Sequence, residues 1–204
     1  MSLTHLRHWV FDMDGTLTLA VHDFEAIKRA LDIPLADDIL TYLAALPAEE
    51  SAAKHAWLLE HERDLAIASK PAPGAVELVR ALASRGIRLG ILTRNARELA
   101  HVTLAAIGLA DCFAVEDVLG RDEAPHKPDP GGLLKLASAW NVDPSQMVMV
   151  GDYRFDLACG RAAGTQTVLV NLPENPWPEL TDWHVEDCAA LLALLDAPPA
   201  SGCL

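Results

Sequence analysis

The 204-residue sequence predicts an α/β protein whose mostly parallel β-sheet is covered by helices on both faces. Three observations lead to this prediction. A short apolar strand near the start of the chain ends in a group of acidic residues. A stretch of about fifty residues then shows only helical patterns, and from Gly74 onward short apolar strands alternate with amphipathic helices. The length suits one well-buried domain with a small insertion.

The composition fits a globular protein that keeps its thiols reduced. Hydrophobic residues make up 51% of the chain, and the formal net charge of −13 argues against nucleic acid or an anionic membrane as a partner. The four cysteines form no CxxC pair, which favours free thiols over a disulfide framework or a zinc site. We recognise neither a transmembrane stretch nor a secretory signal. We therefore expect a cytoplasmic protein, and a monomer because no apolar surface helix is left over.

The first strand is predicted at Trp9–Phe11, an apolar run of residues that favour β-structure. Asp12 and Asp14 follow it, and residues two apart on a strand lie on the same side, so both carboxylates can face one site. Gly15 permits a sharp turn there. Two close carboxylates both stay ionised only around a cation; otherwise one keeps a proton. The pair suits a Mg²⁺ site, an acid–base pair or both, although such residues are also common in ordinary polar turns.

Residues 23–69 are predicted to form a small helical insertion. Apolar residues recur at helical spacing, Pro34 and Pro47 end the first two helices, and a third, longer helix is predicted over 49–68. Its inward-facing candidates are Trp57, Leu58, His61 and Leu65. The Pro-rich segment 70–74 is interpreted as a stiff linker back to the main body.

From Gly74 the chain alternates between helices and strands, as expected for a mostly parallel sheet. Helices are predicted at residues 75–85, 96–107, 133–140, 156–163 and 185–195. Strands are predicted at 87–92, 147–150 and 166–170, with another short one at 113–115. The segment 120–131 is predicted to be a polar loop, and residues from Pro198 onward a frayed tail.

Polar residues follow several of these strands at the point where each strand ends. Asp12 and Asp14 come after the first strand, residues 93–95 after the second and Asp152 after the fourth. Lys127 lies in the loop before the helix that leads to the fourth strand. Because ligands of an open parallel sheet bind beyond the carboxyl ends of its strands, we expect these side chains to meet at one edge. Each has an ordinary explanation as a helix cap, a turn residue or a surface lysine, but their joint placement favours a phosphoryl-transfer site.

The acidic residues can be given roles in such a reaction. Asp12 is the predicted nucleophile, because a carboxylate can attack phosphorus and form an acyl phosphate. Asp14 is the predicted general acid and base, which would protonate the leaving oxygen and later take a proton from the hydrolytic water. Mg²⁺ would be held by Asp12, Asp152 and the backbone carbonyl of Asp14, and would neutralise phosphate charge.

Phosphate contacts are predicted from the end of the second strand and from the loop lysine. Thr93 and Lys127 would hold the phosphoryl oxygens, and Lys127 would add positive charge where the transition state needs it. Arg94, Asn95 or a backbone N–H group at the start of the following helix would assist.

Four segments of the chain resemble the motifs of haloacid-dehalogenase-superfamily phosphatases of the phosphoglycolate-phosphatase-like type. They are Phe11–Leu17, Leu92–Asn95, His126–Pro130 and Gly151–Asp156, in the family's order. The resemblance runs from residue 8 to about residue 195. It implies a Rossmannoid three-layer α/β/α core formed by residues 1–17 and 72–204, with a small all-helical cap at 18–71 inserted after the first strand.

The resemblance also implies Mg²⁺ as the cofactor and a supporting role for Asp156 behind the direct ligand Asp152. Asp14 separates this chain from the dehalogenases that give the superfamily its name, because they lack that acid and need no metal. The cap is shorter than in many phosphoglycolate phosphatases, so that substrate is not carried over to this chain. Thr18–Val21 stands where many relatives place an Asp-Ser pair.

Three functions are consistent with these features. The leading hypothesis is a Mg²⁺-dependent phosphatase that hydrolyses a small phosphorylated metabolite through an aspartyl-phosphate. A sugar phosphomutase is the second, which the short cap without an evident second phosphate pocket disfavours. A non-catalytic phosphate-binding or regulatory module is the third, which the intact acidic residues disfavour. Within the cap, His22, Lys54, His55 and Arg63 are candidate substrate contacts, although a solvated helical surface explains each of them more simply.

Overall fold

The computed structural model describes residues 3–20 and 23–197. The strands are β1 (His8–Phe11), β2 (Arg88–Leu92), β3 (Val118–Leu119), β4 (Met147–Gly151), β5 (Gln166–Leu169) and β6 (Trp183–His184). The α-helices are α1 (Phe24–Ala30), α2 (Ile39–Ala44), α3 (Ala48–Ile67), α4 (Ala75–Ser84), α5 (Arg97–Ala106), α6 (Gly131–Trp140), α7 (Arg154–Ala163) and α8 (Cys188–Asp196). In this part of the chain, none of the helices is both long and apolar enough to cross a lipid bilayer. The tail predicted from Pro198 and the candidate contact His22 lie outside the described residues.

The strands form one parallel sheet in the order β3-β2-β1-β4-β5-β6. β1 lies in the middle, where His8 is level with Arg88 of β2 and with Met147 of β4. The carboxyl ends of these three strands therefore lie side by side at one edge. The predicted parallel α/β sheet is confirmed.

Helices cover both faces of the sheet and bury an apolar cluster on each. Trp9 and Phe11 belong to the cluster under α4, α5 and α8, whereas Val10 belongs to the cluster under α6 and α7. This alternation follows from strand geometry, because successive side chains point to opposite faces. The predicted three-layer core is therefore present, with the central strand buried on both sides.

The helices α1–α3 lie between β1 and β2 in the sequence, and we call residues 23–69 the helical insertion. The insertion has a small apolar cluster of its own, built around Ile27, Leu43 and Leu58. Its long helix α3 also packs against α5 of the core, where Ala66 contacts Ala96 and Leu99. Apolar packing thus fixes one side of the insertion to the core. The predicted cap boundaries at residues 18 and 71 stay a prediction.

The strand predicted at 113–115 is wrong. Val115 begins a 3₁₀ turn and is 63% exposed, and pairing with β2 starts only at Val118. Phe113 is buried in the core, but the backbone after it turns before it reaches the sheet edge. Of this apolar triplet only Phe113 is buried, so the segment contributes one side chain to the core and not a strand.

Two helix predictions also need correction. Trp57 is 41% exposed and stacks on His61, so it is not an inward-facing residue of α3, whereas Leu58 is buried as predicted. The last helix begins at Cys188 and not at Val185. It begins there because Asp187 accepts a hydrogen bond from the backbone N–H of Ala190 and caps the helix.

Candidate active site

The turn after β1 presents two carboxylates at the edge of the sheet. Asp12 donates its backbone N–H to a carbonyl of β4 (2.9 Å), which continues the strand pairing into the turn. Met13 is fully buried, whereas its neighbours Asp12 and Asp14 line a cavity at this edge. Gly15 has a φ of +82°, and a Cβ atom at this position would lie 2.3 Å from Asp152 Oδ2. The turn therefore requires glycine.

Three carboxylates converge beneath this turn. Asp12, Asp152 and Asp156 each offer an oxygen atom, and these atoms lie within 4.8 Å of one another. The buried Lys127 ammonium lies 2.5 Å from Asp12 Oδ1 and 2.7 Å from Asp156 Oδ1. Thr16 donates its hydroxyl to Asp152 Oδ1 (2.8 Å). The cluster thus sets three carboxylates against one ammonium.

The electrostatics of the cluster reflect this imbalance. Burial raises the pKa of Asp12 well above its ordinary value, and Asp156 and Asp152 raise it further against the opposing effect of Lys127. Burial, followed by the charge of Asp156, raises the pKa of Asp152 to about 6. Burial by itself lowers the pKa of Lys127, but Asp12 and Asp156 outweigh it and hold this pKa above its ordinary value. The ammonium therefore stays charged, and the carboxylates carry more negative charge than it can balance.

The donor set of this cluster fits a magnesium ion. Carboxylate oxygens are ligands that Mg²⁺ prefers, and a divalent cation would compensate the excess negative charge. Asp156 is already committed, since one oxygen pairs with Lys127 and the other accepts the backbone N–H of Tyr153 (3.0 Å). This commitment supports Asp12 and Asp152 as the direct ligands.

Asn95, which lies just after β2, is a hydrogen-bond partner of Asp14. Thr93 is buried, and its hydroxyl accepts the backbone N–H of Asn95 (3.2 Å), which fixes the turn after the strand. Asn95 in turn donates its Nδ2 to Asp14 Oδ2 (2.5 Å). Arg121 donates its backbone N–H to the Asn95 carbonyl (2.9 Å). Asp14 is therefore held by a residue whose backbone is itself anchored by two hydrogen bonds.

Arg94 points its guanidinium toward the helical insertion. Its Nη2 lies 2.5 Å from Asp38 Oδ2, and its guanidinium carbon lies 5.2 Å from the centre of the Phe155 ring. Arg94 also lines the same cavity as the acidic cluster, which is compatible with its predicted contact with phosphate. That contact stays a prediction.

One cavity of about 490 Å³, between the sheet edge and the helical insertion, brings the predicted site residues together. They are Asp12, Asp14, Thr93, Arg94, Asn95, Lys127, Asp152 and Asp156. The candidate contacts Lys54, His55 and Arg63 are not among the described residues that line it. Lys54 and His55 bond to backbone carbonyls of the insertion, and Arg63 pairs with Glu98 of α5.

Sequence reasoning missed three residues around this cavity. Arg121 pairs with Glu62 of α3, and both side chains are buried. Asn171 donates its Nδ2 to the carbonyls of Gly15 (2.7 Å) and Thr16 (2.9 Å). Asn171 comes just after β5, so the rule that polar residues at strand ends meet could have found it. The Arg121–Glu62 pair joins residues 59 positions apart through packing alone and leaves no such signal.

Comparison with known proteins agrees with this geometry. A family model described as haloacid dehalogenase-like hydrolase matches residues 6–164. A phosphoglycolate phosphatase of Rhodospirillum rubrum is 33% identical over 193 residues, covering 79% of this chain and 78% of that protein. An N-acetylmuramic acid 6-phosphate phosphatase of Pseudomonas putida is 31% identical over 186 residues, covering 81% and 82%. A solved structure of a hydrolase from Pseudomonas syringae superposes with a TM-score of 0.75 at 25% identity, covering 94% of this chain and 98% of that one.

The chain therefore belongs to the haloacid dehalogenase-like hydrolases. The resemblance to this family that the four motifs indicated is confirmed, and so is the similarity of the chain to phosphoglycolate phosphatases.

Proposed function

We propose that this chain is a Mg²⁺-dependent phosphatase that hydrolyses a small phosphorylated metabolite through an aspartyl-phosphate intermediate. The observation that carries the proposal is the convergence of Asp12, Asp152 and Asp156, two of which pair with Lys127, at the floor of a cavity that Asp14 also lines. The relatives named as phosphatases support it, because they share most of their length with this chain.

In the first half of the reaction, a carboxylate oxygen of Asp12 attacks the phosphorus atom as the bond to the leaving oxygen breaks. The contact between Asp12 and Lys127 orients the nucleophile for this attack. Asp14 gives its proton to the leaving oxygen, so the product departs as an alcohol. Asn95 holds Asp14 in place for this transfer through their 2.5 Å hydrogen bond.

In the second half, water attacks the aspartyl-phosphate and Asp14 takes a proton from that water. Phosphate departs, and the Asp12 carboxylate is restored. Lys127 and Thr93 hold the phosphoryl oxygens in both halves. Mg²⁺, which Asp12, Asp152 and the Asp14 backbone carbonyl would hold, supplies charge neutralisation when it is bound. Asp156 supports Lys127 from behind, as their 2.7 Å ion pair indicates.

The helical insertion is proposed to act as a cap over the leaving group. It forms one wall of the cavity and would exclude water while the phosphoryl group is transferred. The proposed cap comprises residues 18–71, with the catalytic core formed by the remainder of the chain.

The test is release of inorganic phosphate from a broad panel of phosphorylated metabolites, with Mg²⁺ and with chelator, for the wild type and Asp12→Asn. We expect metal-dependent release by the wild type and none above background by the variant. A folded wild type that binds Mg²⁺ but releases no phosphate would contradict the proposal. Conversion of a sugar phosphate without phosphate release would identify a mutase instead, and binding without conversion a regulatory module.

A further inference from the structure

We infer that the preferred substrates are phosphate monoesters whose leaving alcohol is uncharged and contains a ring about the size of a benzyl group. We also infer that the site rejects a leaving group that carries a second negative charge. The inference rests on the proposed phosphatase function and names the substrate class of the same site. It follows from the charges, the ion pairs and the apolar surface of the cavity wall that faces the phosphate site.

The part of the cavity that would receive the leaving group carries no net charge among the described residues. Three cations line it away from the acidic cluster, namely Lys28, Arg94 and Arg121. Three carboxylates of the insertion line it as well, namely Asp37, Asp38 and Glu62. The acidic cluster on the cavity floor adds further negative charge, which Lys127 and one divalent cation would largely balance before the substrate phosphate brings negative charge of its own. A second anionic group would therefore meet no surplus of positive charge.

The two arginines that could bind an anion are each engaged by a carboxylate of the insertion. Arg94 pairs with Asp38 at 2.5 Å, and Arg121 forms a buried pair with Glu62. Side chains of the Arg121–Glu62 pair are only 9% and 8% exposed, so solvent does little to screen their attraction. A substrate carboxylate would have to displace Glu62 and leave that buried charge uncompensated, which is costly.

The insertion side of the cavity is otherwise apolar. Phe24, Ile27, Ile39, Leu40 and Leu58 line it there, and Tyr153 and Phe155 line it from the core. A volume of about 490 Å³ falls within the roughly 300–1,000 Å³ typical of pockets for drug-sized ligands. A two-carbon phosphoester would leave most of this apolar wall uncovered, whereas a ring would bury it.

Three synthetic monoesters separate size from charge: ethyl phosphate, benzyl phosphate and 4-carboxybenzyl phosphate. The benzylic methylene insulates the leaving oxygen from the ring substituent, so the last two differ mainly in the added carboxylate. We expect kcat/KM to rise at least about tenfold from ethyl to benzyl phosphate, and to fall at least about tenfold when the carboxylate is added. Equal or faster hydrolysis of the carboxylated ester would overturn the inference. If that hydrolysis were then lost in Lys28→Met, Lys28 would be the cation that binds the added carboxylate.

A variant of the insertion tests the mechanism of discrimination. Glu62→Gln releases Arg121 from its carboxylate, so we expect the preference for benzyl over 4-carboxybenzyl phosphate to shrink about tenfold. Glu60→Gln is the matched control, because it makes the same change on the same helix where the side chain is 78% exposed. An unchanged preference in a folded Glu62→Gln protein, or the same shift in both variants, would contradict the role of the buried pair.

A binding measurement keeps this inference distinct from the proposed function. Asp12→Asn with Mg²⁺ is titrated with benzylphosphonate and 4-carboxybenzylphosphonate, which cannot be hydrolysed. Tighter binding of benzylphosphonate, which lacks the added carboxylate, supports the substrate class even if the wild type releases no phosphate from any ester. Equal or tighter binding of the carboxylated phosphonate overturns the inference even if the wild type proves to be an active phosphatase.

Discussion

Among single residues, Asn171 stands out because it ties the turn after β1 to the end of β5. It has a φ of +62° and donates Nδ2 to the carbonyls of Gly15 and Thr16. Thr16 in turn donates to Asp152, so Asn171 acts on the proposed metal ligand through the turn. Glycine can adopt the same backbone conformation without the side chain. We expect Asn171→Gly to raise the Mg²⁺ concentration needed for half-maximal activity about tenfold, with a smaller change in the KM for substrate.

Asn141→Gly is the control for this prediction. Asn141 has a φ of +52° at the end of α6, outside the site, so its replacement makes the same backbone change. Magnesium titrations of phosphate release for both variants distinguish a role of Asn171 at the proposed metal site from a role in folding alone. Matching Mg²⁺ curves for the two variants would show that Asn171 contributes only to folding.

The charge imbalance of the acidic cluster predicts that Asp152 destabilises the metal-free protein, although Mg²⁺-dependent activity requires it. Burial and Asp156 raise its pKa to about 6 in the folded protein, above the ordinary 3.8 expected after unfolding. The folded state therefore binds this proton more tightly, so the group's stabilising contribution is complete below about pH 4 and is lost as pH rises through about 6. We expect Asp152→Asn to raise the free energy of unfolding of the metal-free protein at pH 8 by about 1–2 kcal/mol. It should also abolish Mg²⁺-dependent phosphate release.

Thermal unfolding in the presence of chelator at pH 8 and pH 5 measures how Asp152→Asn changes the stability of the metal-free protein. The wild type should gain stability relative to Asp152→Asn as the pH falls, so that the difference at pH 5 is about half of that at pH 8. A variant that is less stable than the wild type at pH 8 would show that the carboxylate is not strained in the metal-free cluster.

The candidate site could largely be predicted from sequence because its acids follow strands. Asp12, Asp14 and Asp152 each lie at the carboxyl end of a central strand, and parallel strands bring such ends together whatever the loops do. Arg121 and Glu62 could not be found this way, because their pairing depends on how α3 packs on the core. Motif-based reasoning therefore found the residues that line the floor of the candidate site, but not the buried pair on the wall that faces them.

At the scale of elements, the predictable strands are those long enough to show an apolar run. β1, β2, β4 and β5 each have four or five residues, and all four were predicted. β3 and β6 have only two residues each, so their existence depends on the neighbouring strand more than on their own sequence. The wrong strand at 113–115 has the same cause, since in so short an apolar segment one buried side chain, here Phe113, cannot be told from a strand.

The short edge strand β3 is instead anchored by the residue before it. Asp117 is buried and accepts hydrogen bonds from Arg88 Nε (2.9 Å) and Trp140 Nε1 (2.7 Å). Asp117→Ala removes the acceptor of a partly buried guanidinium and of an indole N–H. We expect the free energy of unfolding to fall by about 2–4 kcal/mol. Activity of the folded variant should be nearly unchanged, because Arg88 begins β2 and the site lies at the other end of that strand.

Chemical denaturation of Asp117→Ala and of the neighbouring Glu116→Ala tests this anchor. Glu116 is exposed, so its truncation should change stability little. Equal stability losses in the two variants would show that the hydrogen bonds of Asp117 add nothing beyond general effects of the turn.

In the molecule as a whole, the helical insertion is joined to the core in two different ways. α3 packs on α5 through apolar contacts around Ala66 and forms the buried Glu62–Arg121 pair, whereas the α2 end is linked to the core by the partly exposed ion pair between Asp38 and Arg94. Burial opposes ionisation of Asp38, but hydrogen bonds from Arg94 and Thr41 and the charge of Arg94 lower its pKa. The contribution of this pair to stability is therefore present above about pH 4 and is lost only as pH falls through the lowered pKa.

Opening of the insertion is expected to begin at its α2 end, because a partly exposed ion pair contributes less than apolar packing. Asp38→Asn retains an oxygen that can cap α2 but loses the charge that attracts Arg94. We expect amide hydrogen exchange in α2 at pH 7 to accelerate roughly two- to fivefold, with no change in α3. Asp23→Asn is the matched control, since Asp23 caps α1 through the same kind of bond and is exposed. Acceleration in α3 as large as in α2 would show that the insertion moves as one rigid body, and that the Asp38–Arg94 pair and the apolar contact open together.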